Sequence, residues 1–96
     1  MSTLTVVARL KAKSGSEAGL ERELRALVAP TRAEKGCLNY DLHRSAQDPG
    51  LFVFHENWES RALWDAHMNS AHIQAFSQKQ GELTESWELF DGEKIA

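Results

Sequence analysis

The sequence predicts an α+β protein of the ferredoxin-like type, a βαββαβ chain whose strands form an antiparallel four-stranded sheet with helices on one face. Three observations carry this reading. Apolar residues alternate with period two in four separate runs, two intervening stretches carry them with a period near 3.6, and Gly, Pro, Ser and Asp punctuate the boundaries. With 96 residues the chain makes one domain, 1–96.

The first strand runs from Leu4 to Leu10, with Leu4, Val6, Ala8 and Leu10 on one face and Thr5, Val7 and Arg9 on the other. Lys13-Ser14-Gly15-Ser16 ends it, and Ser16 is placed to cap a helix whose first turn holds Glu17. Leu20, Leu24, Leu27 and Val28 then fall at i, i+4, i+7 and i+8, one apolar stripe. Pro30 is expected to kink this helix, Thr31 to Lys35 to continue it, and Gly36 to cap its end.

Leu38, Tyr40 and Leu42 alternate with Asn39, Asp41 and His43 as a second strand. Gln47-Asp48-Pro49-Gly50 closes a hairpin, with Gly50 taking the left-handed position. The third strand, Leu51 to Glu59, sets Phe52, Phe54, Glu56 and Trp58 on one face and Leu51, Val53, His55 and Asn57 on the other. Ser60 caps a second helix carrying Leu63, Ala66 and His67, with Trp64 and Met68 beside them. Asn69-Ser70-Ala71 interrupts it, and His72 to Gln80 resumes it with Ile73 and Phe76 one turn apart. After Gly81 the last strand alternates Leu83, Glu85, Trp87 and Leu89 with Thr84, Ser86, Glu88 and Phe90.

Two helical segments cover only one face of this sheet, yet both faces hold apolar side chains. A homodimer joined through sheet faces, on the side of Val53 and His55, is therefore expected. Eleven basic against fourteen acidic residues give a formal charge of -3, and the basic ones are scattered, which argues against a nucleic-acid partner. Apolar runs such as Ala26 to Ala29 are far short of the roughly 20 residues of a membrane span. The start, Met1-Ser2-Thr3-Leu4-Thr5, has neither the basic region nor the apolar core of a secretion signal. A single cysteine, Cys37, suits a reducing compartment, so the expected location is cytoplasmic, away from membranes.

His67 and His72 are the closest pair of histidines. On a continuous helix five residues turn the second side chain about 140° from the first, so no metal site is expected unless the Asn69-Ser70 break reorients them. His43 and His55 lie on paired strands and read as exposed or interface residues. Gly15, Gly36, Gly50 and Gly81 are isolated, so no phosphate-cradling loop and no nucleotide or flavin cofactor is signalled. What remains is Phe52, Phe54, Glu56 and Trp58 facing helices that bear Leu63, His67, His72 and Phe76. That pattern serves an ordinary core, and it also suits an apolar cleft for a planar organic ligand.

The segments Pro30-Thr31-Arg32-Ala33-Glu34, Gly36 to His43, Phe52 to Ser60, and Ala66-His67-Met68 followed by His72 resemble the antibiotic biosynthesis monooxygenase family, especially its small quinol-monooxygenase-like members. The resemblance covers almost the whole chain and departs at Ala71, where the family usually has Pro. It implies a dimeric α+β barrel with a pocket between each subunit's sheet and helices. It also implies oxidation of a small quinol or polyphenolic aromatic substrate by O₂ without metal or flavin, although other members isomerise small phosphorylated sugars. Trp58 matches the strand Trp of the polyketide-oxidising members, while Phe54, and Arg9 or a neighbour, stand where their Asn partners are sought, so neither Asn is present.

The expected chemistry is removal of a phenolic proton followed by direct reduction of O₂. His67 is the first choice of base and His72 the second, because imidazole titrates near neutral pH. Trp58, Phe54, Phe52 and Phe76 would pack the ring, and Glu56 would orient a histidine or a substrate hydroxyl. The alternatives are an isomerase of a small carbonyl or phosphorylated sugar compound, indifferent to O₂, and a non-catalytic small-molecule binding module.

Overall fold

A computed structural model describes residues 3–96, so Met1 and Ser2 of the expected non-signal start lie outside the described residues. The chain runs β1 (Leu4–Ala12), α1 (Glu17–Arg32), β2 (Cys37–Arg44), β3 (Leu51–Trp58), α2 (Arg61–Met68), α3 (Ala71–Leu83) and β4 (Thr84–Gly92). All strand pairs are antiparallel, in the order β2-β3-β1-β4. This is the ferredoxin-like α+β fold the periodicity predicts.

Register decides which side chains share the core. Leu10 pairs with Phe52 and Trp87, Ala8 with Phe54 and Leu89, and Val6 with Glu56, so all of these point toward the helices. Val6, Leu10, Tyr40, Phe52, Phe54 and Trp58 are buried against Leu20, Leu24 and Leu27 of α1, Trp64 of α2 and Phe76 of α3. The opposite face carries Val7, Val53, His55 and Phe90, with Phe90 60% exposed. No helix among the described residues is long and apolar enough to cross a membrane.

Several local expectations are corrected. Ser16 sits at the helix start, but its hydroxyl makes no cap; Glu17 instead accepts the N–H of Gly15 at 2.9 Å. Helix α1 contains Pro30 and continues through Thr31 to Arg32, where Ala33 caps it in helical geometry, so Glu34 and Lys35 of the expected continuation lie outside it. Gly36 is not that cap. Its φ is +86°, and a Cβ there would sit 2.4 Å from Leu63 Cδ1, so the residue is glycine both for conformation and for the close approach of α2.

Leu38 leaves the expected face because β2 slips register between Cys37 and Asn39. The bulge moves Cys37 against the core and leaves Leu38 exposed. Gly50 is not left-handed, since Gly15 and Gly36 are the glycines with positive φ. Its lack of a side chain matters through crowding, a Cβ there lying 3.1 Å from Glu17 Cγ. Helix α3 runs through Gly81 to Leu83, so the last strand starts at Thr84 rather than just after Gly81.

The interruption of the second helix has a physical cause. Ser60 Oγ accepts the N–H of Leu63 at 3.2 Å to start α2, and Ser70 Oγ accepts the N–H of Ile73 at 3.4 Å to start α3. Asn69 closes α2, and its amide donates to Asp65 O at 3.0 Å. Two caps ten residues apart therefore produce two helices, which frees His72 from the angular phase of His67.

Candidate functional site

A cavity of about 210 Å³ opens between the sheet and the three helices. Ala8, Leu10, Phe54, Leu24, Leu27, Ile73, Trp64 and Phe76 give it apolar walls, and Trp87 and Leu89 of the edge strand line its β4 side. Trp87 is 56% exposed although it points toward the helix layer, because the helices do not reach over β4. The polar side chains set deepest in these walls are Glu56 and His67, 3% and 2% exposed, and Tyr40 lies between the strand aromatics and the imidazole.

His67 is fixed from three directions. Trp58 lies tilted over it at 4.7 Å between ring centroids, and Tyr40 meets it edge-on at 5.5 Å. Nδ1 is 2.6 Å from Glu34 Oε2. The turn between α1 and β2 delivers that carboxylate, since ending the helix at Arg32 swings Glu34 toward α2. A carboxylate at Nδ1 holds the proton of the neutral ring there, leaving Nε2, which no described residue engages, as the acceptor of a ring that lines the cavity. Burial holds the imidazole below its ordinary pKa, with the Glu34 hydrogen bond pulling the other way.

Glu56 does not orient a histidine. Its Oε1 accepts the indole N–H of Trp58 at 3.0 Å, and Glu34 is the residue that orients His67. Burial pushes the Glu56 carboxyl up to about 7, against the Trp58 hydrogen bond and with the negative charge of Glu34 adding to the rise. Near neutral pH it can therefore either give or take a proton. Burial also pushes the Tyr40 phenol far above its usual range, so it stays protonated.

The other expected residues divide. Phe54 and Phe76 line the cavity with His67 and Glu56. Trp58 faces the helix layer as its strand phase requires, but it is fully buried beneath the cavity wall and supports His67 and Glu56 rather than lining the space. Phe52 lines a separate open groove between α1 and β2, where the Arg44 guanidinium stands 5.6 Å from its ring centroid. His72 is outside the cavity, behind Glu34, with Nε2 2.9 Å from Glu34 Oε2 and 3.1 Å from Thr31 Oγ1. His43 and His55 are exposed on the outer sheet face.

The angular argument that separates His67 from His72 fails here, because the helix break lets both rings reach one carboxylate oxygen. Sequence reasoning missed Glu34, Tyr40 and Trp64. The signal for Glu34 is the segment between Pro30 and Gly36, whose two punctuating residues suit a turn as well as a continued helix.

Comparison with known proteins agrees with this architecture. The structure of PA3566 from Pseudomonas aeruginosa superposes with a TM-score of 0.96 at 41% identity, covering 100% of this chain and 97% of that one. The structure of Rv0793 from Mycobacterium tuberculosis gives 0.93 at 32% identity, covering 99% and 97%. By sequence, Rv0793, provisionally named a monooxygenase, is 39% identical over 82 residues, 85% of this chain and 80% of that protein. YcnE of Bacillus subtilis, provisionally named likewise, is 32% identical over 80 residues, 83% and 84% of the two chains. The family model described as antibiotic biosynthesis monooxygenase matches residues 3–79, a span holding every cavity group discussed above except Trp87 and Leu89, and the chain belongs to that family.

Proposed function

We propose that this chain is a monooxygenase that oxidises a small hydroquinone or catechol with O₂ in the cavity beneath α2 and α3, with no resident metal or flavin. The observation that carries the reading is His67: Nδ1 is tied to Glu34, and Nε2 is left as the acceptor of a buried ring that lines a mainly apolar cavity together with Glu56. A phenolic O–H near Nε2 gives up its proton there, and the imidazolium that forms keeps its hydrogen bond to the Glu34 carboxylate. The electron-rich anion then reduces O₂. In balance, a hydroquinone and O₂ give a hydroxyquinone and water, with one oxygen atom entering the ring and the other leaving as water.

The cavity volume suits a ligand of one or two rings, below the roughly 300–1,000 Å³ of drug-sized sites. Phe54 and Phe76 pack the ring, and Trp58 keeps His67 and Glu56 in place. The protein acts as a homodimer through the Val7, Val53 and Phe90 face, in a reducing compartment such as the cytoplasm.

A second reading draws on Glu56. Two proton-transfer groups, Glu56 and His67, border one cavity, an arrangement that also serves an isomerase moving a proton along a small carbonyl compound. Oxygen separates the two. Uptake of isotopically labelled O₂ with a quinol panel, and transfer of one labelled atom to product, supports the monooxygenase; turnover of a carbonyl compound at the same rate under anaerobic conditions supports the isomerase. His67→Ala is expected to lower turnover by about 10²–10⁴ under either reading, and unchanged turnover would remove His67 from the mechanism. Ligand binding without any turnover would leave the chain as a binding module.

A further inference from the structure

The Glu34 carboxylate accepts from two imidazoles at one oxygen, 2.6 Å from His67 Nδ1 and 2.9 Å from His72 Nε2. These three donor atoms all lie within 4.8 Å of one another. Two neutral histidines and one carboxylate are the donor set of an open metal site, three protein ligands with a further position for water or a hydroxyl. Thr31 Oγ1 and Ser70 Oγ also lie close to His72 Nε2, at 3.1 and 3.3 Å. His67 forms the closed inner wall, while Glu34 and His72 are 18% and 23% exposed and provide an entry.

We propose that Glu34, His67 and His72 bind one divalent transition-metal ion, and that filling this site switches His67 from proton acceptor to proton donor toward the cavity. The second half rests on the reading of His67 as base; the first does not. Tetrahedral ligation at about 2.0–2.1 Å places donor atoms about 3.4 Å apart. The cluster reaches that spacing when the carboxylate draws back from between the two nitrogens and the two imidazoles adjust toward each other, the three donor atoms starting within 4.8 Å. Nitrogen donors without a second carboxylate favour Zn²⁺, Co²⁺ or Ni²⁺ over Mg²⁺ and Ca²⁺.

The switch follows from counting protons. Neutral His67 carries one ring proton, now on Nδ1 against Glu34. A metal on Nδ1 moves that proton to Nε2, and none is released from the ring. The cavity then faces an N–H where it faced a lone pair, and a phenol has lost its acceptor. His72 makes the same exchange from Nε2 to Nδ1 without consequence for the cavity, which it does not line.

The test uses untagged, chelator-stripped and dialysed protein titrated with Co²⁺. One Co²⁺ per chain with visible d–d absorption is expected, displaced by one equivalent of Zn²⁺. His72→Ala and the more conservative His72→Gln each remove a direct ligand and should weaken Co²⁺ binding by more than the roughly 10–100-fold that loss of an outer-shell partner costs. The paired change His43→Ala with His55→Ala, on the exposed sheet face, should leave it intact. Failure to bind Co²⁺ at millimolar concentration overturns the site, and so does binding that survives in both His72 variants. Quinol-dependent O₂ uptake, measured on the same samples, should fall as Zn²⁺ fills the site. Stoichiometric Co²⁺ binding with unchanged O₂ uptake upholds the site and overturns His67 as the base.

Discussion

Glu34 and His67 are 33 positions apart in the chain and 2.6 Å apart in the fold, joining the turn after α1 to the second half of α2. Gly36 makes this possible, because only a residue without a side chain lets Leu63 of α2 approach the same turn. The contact is a tautomer lock on a buried ring, so its removal should alter chemistry more than ligand affinity.

Glu34→Gln is the direct check. A neutral amide can donate to Nδ1 as well as accept from it, so the ring proton is no longer confined there and the imidazolium loses its counter-charge. Turnover should drop about 10–100-fold with KM nearly unchanged. Steady-state kinetics that show a raised KM with normal kcat would mean that Glu34 acts on binding and not on His67.

Val53→Glu tests the assembly. The outer face pairs Val7 with Phe90, and Val53 with Arg9, around a patch that no helix covers. A carboxylate in the centre of a sheet-to-sheet contact would lose its hydration, a cost of several kcal/mol that its cross-strand neighbour Arg9 offsets only in part. Light scattering at micromolar concentration should give twice the chain mass for the parent and the single chain mass for the variant. A folded parent monomer at that concentration would remove the dimer.

Glu56 sets a pH dependence whose sign can be worked out. Its folded pKa is about 7 against an ordinary 4.5, so the native state holds the proton more tightly than the unfolded chain. Between those values the native state binds more protons, and stability falls as pH rises, levelling off above about 7. The loss is on the order of 3 kcal/mol. His67, with its pKa lowered, contributes with the opposite sign, so parent and Glu56→Gln must be compared. Denaturant unfolding at several pH values should show the parent losing stability relative to the variant between pH 5 and 8. Parallel curves would place Glu56 in a more polar setting than its 3% exposure indicates.

Strand phase was legible from the sequence because period two is set by the backbone: Phe52, Phe54, Glu56 and Trp58 do share the buried face. Leu38 was not legible, since a bulge adds one residue to one strand without any change in the alternating pattern. Ser60 is legible as a cap and Asn69-Ser70-Ala71 as a break, but the periodicity does not say how far that break turns His72 relative to His67, which the Ser70 cap decides. The division between ring-lining and ring-supporting aromatics lay beyond any periodicity argument. Phe54 and Trp58 have the same phase, and what separates them is where the helices cross the sheet.

Gly36→Ala isolates the hinge on which the Glu34–His67 contact depends. Alanine at φ +86° is strained, and its Cβ would lie 2.4 Å from Leu63 Cδ1 and 2.8 Å from Leu63 Cβ. Strain at such a position costs about 1–3 kcal/mol, and the overlap with Leu63 adds to it. A double-mutant cycle isolates the part due to the longer side chain, because Leu63→Ala removes the Cδ1 contact but leaves the 2.8 Å approach of Cβ and the backbone strain. Gly36→Ala should therefore be less destabilising in the Leu63→Ala background than in the parent, as read from denaturant midpoints at constant slope. Turnover supplies the second readout: α2 pushed away from the turn lengthens the Glu34–His67 contact, so Gly36→Ala should lower kcat in the same direction as Glu34→Gln. Combining Gly36→Ala with Glu34→Gln should then lower kcat little further, whereas independent, multiplying losses would show that the glycine shapes the site by some route other than this hydrogen bond.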